Sequence, residues 1–390
     1  MKPRRWQTEA LSAWRDAGFR GIISVVTGGG KTVFAIMAIR HMEDSGLIAG
    51  VTILVPSIAL QEQWWAALVV DGKVDPAQIA TVGGSSKQSV NTKYRIAVMA
   101  SARKFMPDWD LGNSLLIVDE CHRAGNLGMV AALENTATAT LGLSATPERE
   151  YDEGLTDVLE PALGKIIYTY SYDDALRDQV ISSFELVNVR VPMTEAENEA
   201  YEKLSLKLAR ALAAEKAGKV PEGTAARIAM ARARHVNGIA SRIPVALAVM
   251  KSIGERRTLL FEESVDRAHL LSQALARLGF RSGEYHSGIS SNLRREYMRQ
   301  FRLGMLSVLV TVRALDEGFD VPEAEVALIV SSSATKRQRI QRLGRVLRST
   351  QKKARASVIT LYATKHEQDR LMRDPATQVA SSVSWKEITQ

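Results

Sequence analysis

Short runs that are apolar at nearly every position alternate with longer, helix-periodic stretches in two separate parts of the chain. In the first part the runs fall at residues 22–26, 51–55, 96–99, 115–118 and 140–143. Runs without the every-second-residue alternation predict strands covered on both faces, hence a parallel sheet flanked by helices. A second series lies at 258–261, 281–285, 307–310, 326–331 and 357–361. Between the two, from about Thr194 to Lys251, Ala, Leu, Arg and Glu dominate and β-branched residues are few. That stretch predicts two or three helices, broken near Gly218 to Gly223. The tail beyond Lys365 is polar and is expected to fray. The pattern therefore predicts an α/β chain of two lobes, 1–180 and 251–390, joined through a helical, basic insert at 181–250.

The turns at the ends of these runs carry the chemistry. Thr27-Gly28-Gly29-Gly30-Lys31-Thr32 follows the first strand and opens a helix. Glycines there let successive N–H groups and the helix N-terminus converge on one anion, a phosphate. Lys31 would reach the β- and γ-phosphates, and the Thr32 hydroxyl would hold a Mg²⁺. The strict G-x-x-x-x-G-K-[ST] spacing puts a glycine at position 25, where this chain has Val25. Further on, Leu115-Leu116-Ile117-Val118 runs into Asp119-Glu120-Cys121-His122. Carboxylates at the carboxyl end of a buried parallel strand stand where open α/β sheets bind ligands. Asp119 is suited to the metal, and Glu120 to orienting and deprotonating an attacking water. The order of loop and acid pair predicts nucleotide hydrolysis.

Composition narrows the partner. At 390 residues the chain is too long for a single ordinary core, so two domains are expected. The formal net charge of +8 favours an anionic polymer. Cys121 is the only cysteine, which excludes an internal disulfide and points to a reducing compartment; it is read as a packing residue beside the acids. Met1-Lys2-Pro3-Arg4-Arg5 leads into no apolar segment, and no run reaches the roughly 18 apolar residues of a membrane span, so a cytoplasmic protein is expected.

With loop and acid pair in place, the remaining segments resemble those of superfamily 2 helicases, most closely the XPB-like DNA helicases and restriction-type translocases. The resemblance spans roughly residues 4–363 and implies two tandem RecA-like lobes. Arg4-Arg5-Trp6-Gln7 is similar to the adenine-reading element, with Gln7 pairing to the base. Ile53-Leu54-Val55-Pro56-Ser57, with Leu60 and Gln63-Trp64 beyond, resembles the motif whose serine, here Ser57, meets a strand phosphate. Asp119 to His122 stands where the family has its D-E-x-H box, and Ser144-Ala145-Thr146-Pro147 matches the motif that couples hydrolysis to lobe movement. His122, Ser144, Thr146 and Gln341 are the implied coupling residues.

In the second lobe, Val310-Thr311 and then Glu317-Gly318-Phe319-Asp320-Val321-Pro322 are similar to the motif touching both strand and nucleotide. Thr311 is implied at the strand, Gly318 and Asp320 at the nucleotide. Gln341-Arg342-Leu343-Gly344-Arg345-Val346-Leu347-Arg348 matches the Q-R-x-G-R-x-x-R helix. Arg345 and Arg348 are three apart on one helix face, so both guanidiniums can approach one γ-phosphate. Arg313 and Asp316 depart from the smaller or neutral residues usual in the family, and no further N-terminal targeting or nuclease domain is evident.

The resemblance implies ATP and Mg²⁺ as cofactors and nucleic acid as partner, DNA favoured over RNA, with an accessory protein for targeting left open. Between Gly223 and Arg257 seven basic residues face the single acid Glu255. Arg227, Arg232, Arg234 and Arg242 are accordingly expected on the nucleic-acid backbone. Trp64, Trp65 and Trp109 are read as packing residues, with base stacking as the alternative. An RNA helicase, a duplex translocase that leaves strands paired, and a nucleotide-gated binding module with little turnover remain as other readings of the same motor.

Overall fold

The computed structural model describes residues 3–83, 86–87, 92–104, 111–147, 154–312, 324–331, 356–374 and 376–387. Two units emerge, the first ending at Ile181 and the second beginning at Ser182. In the first, an eight-stranded sheet is built from β1 (Arg20–Val25), β2 (Gly50–Val55), β3 (Ile79–Gly83), β4 (Ser86–Lys87), β5 (Tyr94–Val98), β6 (Ser114–Asp119), β7 (Ala139–Ser144) and β8 (Ile166–Tyr170). Their spatial order is β4-β3-β5-β2-β6-β7-β1-β8. All described pairings are parallel except β3 with β4. Every residue of β6 and of β7 is buried, which is why these strands are mostly apolar.

The second sheet holds β9 (Phe184–Arg190), β10 (Thr258–Glu262), β11 (Ser282–Tyr285), β12 (Val308–Val312), β13 (Val326–Ile329), β14 (Ala356–Tyr362) and β15 (Ser382–Glu387). Its order is β11-β12-β10-β13-β14-β9-β15, parallel in every described pair. Tandem RecA-like lobes, the expected fold class, are thus present as two parallel sheets covered by helices.

Three regions differ from the sequence expectation. Phe184–Arg190, assigned to the linker, is a strand between β14 and β15, so the second unit's sheet begins before the helical insert. The helix Arg242–Ile253, also assigned to the insert, buries Val245, Ala246, Val249 and Met250 in the second unit's core. The tail is ordered by the helix Lys365–Met372 and by β15. What remains as an insert is a helical hairpin, Glu195–Lys216 and Thr224–Asn237. Its internal core is thin: Leu208, Ala211 and Ala225, with Ile228 and Ala229 packed against them. Side-chain capping replaces burial. Thr194 and Glu197 form a capping box at the first helix, and Glu215 accepts the Gly223 and Ala225 N–H groups at the start of the second.

Candidate active site

Strand order explains why the site forms. β6, β7 and β1 are consecutive, so their carboxyl ends bring Asp119, Ser144 and the loop after Val25 side by side. The loop needs glycine at two places for different reasons. Gly30 takes φ 101° as the residue preceding the helix Lys31–Asp44. A Cβ on Gly29 would stand 2.6 Å from Val25 Cγ1 and 2.9 Å from Val26 O. The helix N-terminus has no side-chain cap, so its first-turn N–H groups are left for an anion. Thr27 Oγ1 is buried without a hydrogen-bond partner at the same loop.

Lys31 and the acid pair lie together. Lys31 Nζ lies 2.6 Å from Glu120 Oε1. Burial works against the Lys31 ammonium, but the Glu120 and Asp119 carboxylates outweigh it and hold its pKa above the ordinary value. Asp119 is raised, chiefly by burial and also by the Glu120 charge, against the opposing pull of Lys31. Glu120 adopts φ 48° and ψ 48°, a left-handed conformation that costs a non-glycine residue energy and is typical of functional positions. The strain turns the chain sharply off β6 into the short 3₁₀ turn Cys121–Ala124.

His122 is buried and joins the acid pair to the next motif. Its Nδ1 is 2.9 Å from Ser144 Oγ and 3.4 Å from Glu120 Oε2. Ser144 Oγ in turn accepts the Thr146 N–H at 3.1 Å. The expected coupling residues of the first unit therefore share one hydrogen-bonded network. Cys121 is buried and packs near Gly142, in keeping with a space-filling role.

The N-terminal element packs against the glycine loop. Gln7 is 2% exposed, and its amide grips the loop side. Its Nε2 donates to Gly30 O at 3.3 Å and its Oε1 accepts the Arg4 N–H at 2.9 Å. Arg4, not singled out from the sequence, donates through Nη1 to Gly29 O at 2.8 Å. Trp64, expected to pack or to stack on a base, has a further contact. Its indole N–H donates to Asp119 Oδ2 at 2.8 Å, and the adjacency Gln63-Trp64 after a strand was the one signal that could have marked it.

The expected strand contacts divide. Ser57 is half-buried and caps the helix Ile58–Val70, accepting the Leu60 N–H at 3.4 Å. Arg227 and Arg234 are exposed on the second hairpin helix, while Arg232 is half-buried with its guanidinium 5.8 Å from the Tyr201 ring centre. Thr311 is fully buried at the end of β12 and is not presented to a strand. Arg242 is a correction. It is 0% exposed, and its guanidinium donates to Val236 O, Val330 O, Leu361 O and Glu367 Oε1. With its donors spent on the interior, Arg242 is no phosphate ligand. Gly318, Asp320, Gln341, Arg345 and Arg348 lie outside the described residues, as do Trp109, Arg313 and Asp316.

A divalent cation fits this donor set. Thr32 and Asp119 supply few, hard oxygen ligands, which suits Mg²⁺ shared with phosphate oxygens. Among the described residues no group of three or more His, Cys, Asp or Glu side chains forms a cation cage of its own.

An uncapped helix N-terminus under a glycine loop, facing a half-buried lysine and two carboxylates, defines a P-loop enzyme that hydrolyses nucleoside triphosphates. Residues 1–149 match the family described as Type III restriction enzyme, res subunit, and residues 242–350 the helicase conserved C-terminal domain. Across both matched domains the chain is similar to superfamily 2 helicases of the XPB-like type, and it is an ATP-hydrolysing helicase-type enzyme by class. It is 29% identical over 370 residues to the DNA 3'-5' translocase XPB2 of Sulfurisphaera tokodaii, covering 90% of this chain and 80% of that one. It is likewise 29% identical to the putative DNA 3'-5' helicase Rad25 of Haloarcula marismortui, of whose length it spans about half (51%). S. cerevisiae Dbp5 bound to RNA and ADP BeF3 shares the fold, with a TM-score of 0.67, 14% identity and coverage of 99% of this chain and 90% of that one. Among the described residues no single helix is long and apolar enough to cross a membrane.

Proposed function

We propose that this chain is an ATP-driven, Mg²⁺-dependent DNA helicase or translocase that moves 3' to 5' along DNA in the cytoplasm, the activity printed for its archaeal relatives. One observation carries the reading: half-buried Lys31 and Glu120 join buried Asp119, His122 and Ser144 in a single hydrogen-bonded cluster at the glycine loop.

Thr27, Gly28, Gly29, Gly30, Lys31 and Thr32 would bind the phosphates, and Gln7 the adenine end. A magnesium ion held by Thr32 and Asp119 would stabilise charge on the phosphate oxygens. Glu120 must let go of Lys31 before its carboxylate can take a proton from water, so phosphate binding, which draws the ammonium away, arms the base. Asp119, buried and doubly hydrogen-bonded, keeps its orientation through this exchange. His122 relays a change at Glu120 to Ser144 and Thr146, the route by which hydrolysis would reach the second lobe. Arg345 and Arg348, with Gln341, Gly318 and Asp320, would complete the charge clamp from that lobe, a contribution on the order of 10³–10⁵ in rate for such arginines. Ser57, Arg227 and Arg234 are the best-placed candidates for the DNA backbone.

The test is ATPase activity against single-stranded DNA, duplex DNA, forked DNA and RNA, with strand displacement and triplex displacement run in parallel. DNA stimulation is expected. Stimulation by RNA alone overturns the substrate, and triplex displacement without strand separation identifies a duplex translocase.

A further inference from the structure

Asp119 is held from two directions. Its Oδ1 accepts the Glu120 N–H at 2.9 Å, a contact within its own turn. Its Oδ2 accepts the Trp64 indole N–H at 2.8 Å, from a helix 55 positions earlier in the chain. Trp64 is 1% exposed, so this donor has no competing water. A carboxylate with one donor on each oxygen cannot rotate about its Cβ–Cγ bond without losing both. The helix that carries Trp64 is itself fixed. On the same helix, Gln61 Nε2 donates to Ile96 O at 2.7 Å and to Val82 O at 3.1 Å, tying it to β5 and β3. Ser57, the proposed strand contact, caps the N-terminus of that helix.

We propose that Trp64 is a positioning residue for the divalent cation: its indole N–H fixes the Asp119 carboxylate to the helix Ile58–Val70, so that the cation site and the strand-facing end of that helix move as one body. The indole of an apolar run thus takes the part that carboxylate or carbonyl partners take behind other metal ligands. A packing tryptophan would require only the ring. A positioning tryptophan requires the N–H.

The proposal rests on the MgATP reading above, and its test separates the two. Glu120→Gln protein, blocked in turnover, is loaded with ATP and titrated with Mn²⁺ by electron paramagnetic resonance, with no nucleic acid present. Adding Trp64→Phe, which keeps an aromatic ring and removes the N–H, is expected to weaken Mn²⁺ binding about 10-fold to 100-fold. The same substitution on top of Asp119→Ala should add nothing further, since Trp64 acts through that carboxylate. Should Trp64→Phe fail to fold by circular dichroism, replacing the indole by the isosteric benzothiophene removes the N–H alone and gives the same readout. An unchanged Mn²⁺ midpoint in a folded variant overturns the proposal, as does an equal loss in the Asp119→Ala background. Failure of the Glu120→Gln protein to bind ATP at all overturns the MgATP reading and this proposal with it. A later failure of DNA to stimulate turnover touches only the substrate.

Discussion

Two ion pairs of nearly equal length, one half-buried in the first unit and one buried in the second, serve different ends. Lys31 Nζ is 2.6 Å from Glu120 Oε1, and Arg242 Nη2 is 2.7 Å from Glu367 Oε1. Around Arg242 the books close. Three backbone carbonyls take three more of its donors, and Glu367 Oε2 accepts the Ala363 and Thr364 N–H groups and the Thr364 hydroxyl. Around Lys31 the arrangement is different. A second carboxylate, Asp119, is buried beside the pair, and Glu120 sits in a left-handed backbone conformation. Burial alone therefore does not mark function. A lysine shared between two carboxylates, combined with backbone strain, does.

The widest separation between the pairs lies in rate. Glu120→Gln keeps the shape of the side chain and removes its ability to take a proton, so nucleic-acid-stimulated turnover should fall by about 10²–10⁴-fold. The thermal midpoint should not fall, since the change also removes a like charge next to Asp119. Turnover near that of the unaltered protein would remove Glu120 from the chemistry.

Stability separates them in the opposite sense. Arg242→Ala leaves Glu367 and three carbonyls without their donor in the interior and should cost about 3–5 kcal/mol in urea unfolding of the second unit. The double replacement Arg242→Met, Glu367→Leu should recover part of that loss, limited by the carbonyls of Val236, Val330 and Leu361 that stay unpaired. A single-variant cost below about 1 kcal/mol would mean that water reaches the pair and that it is a surface interaction.

The contrast also shows what a sequence can carry. β6 and β7 were legible because burial on both faces makes them mostly apolar. β15, Ser-Val-Ser-Trp-Lys-Glu, was not, since an edge strand with largely exposed side chains has no such signature. β9 was lost between the two series because its alternation, with Phe184 and Leu186 buried and Glu185 and Val187 half-buried, resembles a linker more than a central run. At the site, Gly28 to Thr32 and Asp119 to His122 were readable because their roles depend on neighbours in sequence. Arg4 and Trp64 act through contacts 25 and 55 positions away. Arg242 fails for the same reason in reverse. Its acceptors Val330 O and Leu361 O lie 88 and 119 positions on, and nothing in its own helix distinguishes it from Arg234.

That distinction gives a smaller, sharper measurement. Arg227, Arg232 and Arg234 stand on a hairpin helix with little core of its own, and charge there is cheap to remove. Each arginine that meets a phosphate should, on replacement by Ala, reduce the slope of log affinity against log salt by roughly 0.7–0.9. Arg227 and Arg234 are expected to show the effect most, because Arg232 is engaged with Tyr201. Turnover without nucleic acid should not change. A triple variant with an unaltered salt slope would leave the hairpin's basic face as a solvated surface.

The smallest effect concerns the half-buried counterpart of Glu367. Both acids close a capping box and both reach a neighbouring segment, but Glu197 does so at the surface. Its carboxylate accepts the Ala240 N–H at 3.0 Å and the Thr194 N–H at 2.9 Å, tying the first hairpin helix to the turn after the second. These backbone donors, Ala240 first and then Thr194, hold its pKa below the ordinary 4.5. A depressed carboxyl pKa contributes stability that is present above the unfolded value and is lost as pH falls through the folded one. The hairpin root should therefore loosen only as pH falls below about 4.5. Because the group is only half-buried, the contribution should stay within about 1 kcal/mol. Hydrogen exchange of the hairpin amides measures it: Glu197→Gln should exchange faster than the unaltered protein at neutral pH and match it once both are well into acid. Equal exchange at neutral pH would show that the His235 contact to Glu197 O, 2.7 Å, and the packing around Val236 hold the root without the carboxylate.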